Sequence, residues 1–93
     1  MAVVYLATGL DDGGLQPTSD PELAEPLSRF AANLRRARLS ADMSQEALAY
    51  EADMHRTALS RLETCERAPE FRTLIRLARA LDVTPASLLR GVR

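Results

Sequence analysis

Two short helical patterns separated by only Asp53, Met54 and His55 constrain this chain more than any other feature. In SQEALAYEA, which starts at Ser44, the residues Leu48, Ala49 and Ala52 share one side of a helix, and the two alanines let a neighbouring helix approach closely. In RTALSRLE, which starts at Arg56, Leu59 and Leu62 point inward while Arg56, Thr57, Ser60 and Arg61 lie on the opposite face. A turn this short makes the two helices pack against each other. Neither apolar side is broad enough to make a core by itself, so the rest of the chain must complete it.

The flanking sequence supplies more helices. Ser19, Asp20, Pro21 and Glu22 read as a Ser-x-x-Glu capping box with a proline in the first turn, and Pro26 reads as a restart. From Leu27, the residues Phe30, Leu34 and Ala37 recur at helical spacing with Arg35, Arg36 and Arg38 between them, which predicts a first helix to about Ser40. Ser44 caps the second helix. After the loop TCERAPE, the residues Phe71, Leu74, Ile75, Leu77, Ala78 and Leu81 form the inward stripe of a fourth helix. Thr84 caps a short fifth helix beginning at Pro85, with Leu88 and Leu89 inward and Gly91 ending it. With no strand pattern in this region, the expected fold is all-α: a compact five-helix bundle over residues 20–93. Residues 1–19, AVVYLATGL followed by turn and breaker residues, read as an arm and linker. The arm is either disordered or a short strand that pairs with a symmetry mate or another protein.

A chain of 93 residues, 46% of them hydrophobic, buries one modest core and has no room for a catalytic domain beside it. His55 and Cys65 are the only His and Cys, which excludes a Cys/His zinc cluster and an internal disulfide. No nucleophile with a plausible base and no Gly-rich phosphate loop is present, so neither an enzyme nor a cofactor is expected. No run approaches the roughly 20 apolar residues that cross a bilayer. Ala2–Leu10 lacks a basic flank and is broken by Thr8 and Gly9, so a cytoplasmic protein is expected. The net charge of −1 conceals a division. Residues 1–28 carry five acids and no base, whereas residues 29–93 carry all twelve arginines against eight acids, a net of +4. Every basic residue is Arg, which grips phosphate and guanine bidentately, although codon bias also yields such an inventory.

The run from Ser44 to Glu63 closely resembles the Cro/phage-repressor (Xre-like) helix-turn-helix family. The matching residues are Ser44-Gln45-Glu46, Leu48-Ala49, Ala52, the apolar Met54 in the turn and Leu59-Ser60-x-Leu62-Glu63. The likeness extends to Leu34-Arg35 and Arg38 on one side, and to Pro69, Thr73–Leu81 and Val83-Thr84-Pro85 on the other. The resemblance implies a lambda-repressor-like bundle that binds double-stranded DNA. In it Arg56, Thr57 and Arg61 read base edges, Gln45 holds a backbone phosphate, and Arg38 and Glu63 form a structural salt bridge. Ser60, His55, Arg67 and Arg35 are further candidates for backbone contact, with His55 alternatively capping the third helix. The chain departs from the family pattern at Asp42 and Asp53, where glycine is common, and at Thr64-Cys65, where Asn-Gly is common. Glu66 stands where a basic residue is frequent, and it repels phosphate.

These readings lead to a sequence-specific transcription regulator, a repressor with its own gene among the candidate targets, binding a palindromic operator as a homodimer. Val83, Leu88, Leu89 and Val92 are the first choice of dimer contact and an exchanged arm the second. The alternative is the antitoxin half of a toxin-antitoxin pair, with the acidic, apolar arm binding a partner protein.

Overall fold

The computed structural model describes residues 20–93 and the backbone of Leu15–Pro17; the apolar start of the arm and the Ser19 cap lie outside the described residues. Asp20 takes the capping position expected of Ser19. Its Oδ1 accepts from the Glu22 N–H at 2.9 Å and starts a single 3-10 turn, Pro21–Leu23. Helix α1, Ala24–Ser40, follows without a break. Pro26 therefore marks no restart: it sits in the first turn, where N–H groups have no intrahelical acceptor and proline is tolerated. Then come α2 (Gln45–Glu51), α3 (Arg56–Glu63), α4 (Phe71–Leu81) and α5 (Pro85–Leu88). Ser44 and Thr84 cap α2 and α5 by accepting from Ala47 and Ser87, as their positions predict.

The connections explain the departures from glycine. α1 to α4 each end on a residue with left-handed backbone: Asp42 (φ 58°), Asp53 (58°), Cys65 (65°) and Asp82 (57°). After each, the next N–H reaches back five residues: Met43 to Arg38, Met54 to Ala49, Glu66 to Arg61 and Val83 to Ala78, at 2.8–3.1 Å. This is the Schellman closure, in which the residue after the left-handed one commonly packs on the helix it ends. Met43, Met54 and Val83 do so against the core. Asp tolerates this backbone better than most residues, so the pattern Asp-apolar recurs at three helix ends.

The five helices close on one core in which Leu34, Leu48, Leu59, Leu62, Leu77 and Leu88 are each under 2% exposed. Burying one such leucine contributes about 1.5–3 kcal/mol. α1 packs across α3 and α5, α2 packs on α3 and α4, and α4 packs on α5. Two expected core residues lie outside. Phe71 is 77% exposed because it opens α4 one turn before the core begins at Leu74. Leu89 is 39% exposed because α5 ends at Leu88 and the chain turns away.

A pairing that the sequence did not announce joins the segment before α1 to the connection between α3 and α4. β1, Leu15–Pro17, runs antiparallel to β2, Arg67–Pro69, with Gln16 opposite Ala68. β2 lies in the connection between α3 and α4, expected as plain loop, so the segment before α1 is tied beside the end of α3.

Candidate nucleic-acid interface

α3 is held from beneath. Leu59 and Leu62 are 0% and 1% exposed, so the helix cannot roll without emptying the core. At its last residue the Glu63 carboxylate receives Arg38 Nε at 2.7 Å and Nη2 at 3.1 Å, a two-pronged pair whose side chains are 2% and 10% exposed. Arg38 Nη1 donates to the Met43 carbonyl at 2.8 Å, so one guanidinium fastens the end of α1, the turn into α2 and the end of α3. Gln45 Nε2 donates to Glu63 Oε1 at 3.0 Å, which adds the start of α2. The Arg38–Glu63 bridge implied by the family resemblance is therefore present, with a third member.

On the outer side of α3, Arg56, Thr57 and Arg61 are exposed and Ser60 is half-buried. His55 is the exposed cap residue of α3, but its side chain makes no capping hydrogen bond, so the capping alternative falls. Between the starts of α2 and α3 lies an open depression of about 440 Å³ lined by Arg38, Ser44, Gln45, Glu46 and Arg56. Gln45 and Arg56 thus border one surface. Of the remaining candidates, Arg35 is exposed on α1, whereas Arg67 is half-buried in β2, its Nη1 donating to the Glu66 carbonyl at 3.1 Å. Glu66 is exposed and its Oε2 accepts from the Thr64 hydroxyl at 2.8 Å. Among the described residues no group of His, Cys, Asp and Glu is placed to hold a metal, and no helix is long and apolar enough to cross a membrane.

Sequence reasoning passed over two features of this region. Asn33 Nδ2 donates to the carbonyls of Leu88 and Arg90, both at 2.9 Å, and so pins the end of the chain to α1. Tyr50 is 83% exposed beside the start of α3, lining a second depression with Met54 and His55. Its position opposite Leu48, Ala49 and Ala52 was the available signal.

Helices α2 and α3, locked at a fixed angle with an arginine-bearing face outward, define a helix-turn-helix, and the helix-turn-helix family model matches residues 34–88. The chain belongs to this family, of Cro/phage-repressor type, and is a DNA-binding transcription regulator. It is 41% identical over 61 residues to control protein C.BamHI of Bacillus amyloliquefaciens, across 64% of this chain and 75% of that protein. It is similar in structure to the restriction-modification controller protein C.AhdI of Aeromonas hydrophila, with a TM-score of 0.66 and 32% identity over 67% of this chain and 94% of that one. The wild-type controller protein C.Esp1396I gives a TM-score of 0.66 and 27% identity over 72% and 87%. These relatives lend no support to the antitoxin alternative. The family is one of DNA-binding regulators rather than of enzymes.

Proposed function

We propose that this chain is a controller protein of a restriction-modification system, a cytoplasmic homodimer that represses from a palindromic operator, including one at its own gene. The observation that carries this reading is the exposed Arg56–Thr57–Arg61 face on a helix whose opposite side is buried. Arg56 and Arg61 grip guanine edges and the Thr57 methyl meets a thymine methyl. Gln45, Ser60, His55, Arg67 and Arg35 contact the backbone and set register. Two copies related by a two-fold axis place their α3 helices in successive major grooves about 34 Å apart, which makes the operator palindromic. Leu88 is 1% exposed inside its own core and is withdrawn from the dimer contact; Leu89, 39% exposed, remains with half-buried Val83 and Val92. Residues 1–19 act as an arm on a domain of residues 20–93, and the β1–β2 pairing supports a strap that lies on the chain's own α3–α4 connection.

The test is Arg61→Ala against the duplex selected by the wild-type protein from random DNA. The substitution is expected to weaken binding by about 1–3 kcal/mol and to relax preference at one base pair. An equal loss on every sequence would make Arg61 a phosphate anchor and remove it from base readout.

A further inference from the structure

We propose that Glu63 is a positioning residue for DNA binding: its buried carboxylate holds the Gln45 amide so that its remaining N–H is aimed at a backbone phosphate. This rests on the phosphate contact proposed above for Gln45.

A carboxylate only accepts, so the Gln45 atom that faces Glu63 Oε1 at 3.0 Å is the amide nitrogen, with one of its two protons. The second proton lies in the same rigid amide plane and is left for another acceptor. Gln45 is half-buried and lines the open depression with Ser44 and Arg56, on the side where α2 and α3 begin. Glu63 is suited to hold it. The Glu63 side chain is 2% exposed, and its carboxylate is fixed on two oxygens by the Arg38 fork. The side-chain freedom that Gln45 would otherwise lose on meeting DNA is lost already on folding. Arg38 also balances the charge of Glu63, so that a phosphate can approach the neighbouring amide without facing an uncompensated carboxylate. The residues involved are the first of α2, the last of α3 and one near the end of α1, so the contact is assembled only when all three helices are in place.

A double-mutant cycle tests this, with Gln45→Ala, the paired replacement Arg38→Met/Glu63→Leu, which leaves no acceptor for the Gln45 amide, and all three changes together titrated against the selected operator duplex, each below its measured unfolding temperature. Gln45→Ala is expected to weaken binding about tenfold in the wild-type background and less than about twofold in the Arg38→Met/Glu63→Leu background. The same factor in both overturns the proposal. A second readout needs no altered protein. In the free wild-type chain, the side-chain amide of Gln45, one of two glutamines, should give a pair of ¹⁵N-correlated signals displaced from the free-amide position; a pair at that position overturns the proposal. The phosphate contact is tested separately on duplexes carrying one methylphosphonate at each backbone position in turn. If none removes the difference between wild type and Gln45→Ala, the phosphate contact fails and this inference with it. If one does while the cycle shows no coupling, only the positioning role of Glu63 fails.

Discussion

Glu63→Ala should destabilise the fold by about 3–5 kcal/mol, read as a lowered urea midpoint, because it strands the Arg38 guanidinium at a site only 10% open to water. The loss is larger than a surface ion pair would give, since an exposed pair is worth about 0–1 kcal/mol. Most of the cost lies in the charge left without a partner rather than in attraction lost. The double variant Arg38→Met, Glu63→Leu should therefore recover most of the stability, as apolar replacement of a whole buried pair commonly does. It should still bind the operator up to about tenfold more weakly than wild type, because Gln45 then has no carboxylate to hold it. A double variant as unstable as Glu63→Ala would contradict this account of the pair.

Leu59→Ala should cost about 3–5 kcal/mol, since Leu59 is wholly buried and an Ala leaves a cavity beneath the recognition helix. For a domain of this size, total stability is on the order of 4–11 kcal/mol, so the substitution removes at least about a quarter of it. Calorimetry checks this. Leu39→Ala, at a site 58% exposed, is the control and should fall within about 0.5 kcal/mol of wild type. A Leu59→Ala loss no larger than the control's would mean that α3 is not anchored by this side chain.

The parts of the fold that could be read in the sequence are those written in local periodicity. Leu48, Ala49 and Ala52, and then Leu59 and Leu62, fall on buried faces as their spacing requires, and the Arg56–Thr57–Arg61 side is exposed for the same reason. Periodicity does not say where a core stops. Phe71 fits the α4 stripe but lies a turn beyond the packed layer, and Leu89 follows Leu88 out of a helix that has ended. The β1–β2 pair joins segments about 50 residues apart through three-residue strands, too short to carry an alternating pattern. The Gln45–Glu63 bond likewise crosses from one helix start to another helix end, and only the assembled bundle brings the two together. The left-handed residues were half legible. Asp42 and Asp53 stand where glycine is common, and the Asp-apolar step that closes three helices became visible only with the backbone angles.

The central claim is sequence-specific DNA recognition, and the most direct test is fluorescence anisotropy of the purified protein on its own upstream DNA and on a scrambled duplex, at two salt concentrations. Phosphate contacts weaken steeply with salt and bind both duplexes alike, whereas base contacts separate them. The account predicts a preference for the upstream duplex that persists at the higher salt. Equal affinity for both duplexes, falling together as salt rises, would contradict a self-regulating repressor that reads bases through Arg56, Thr57 and Arg61.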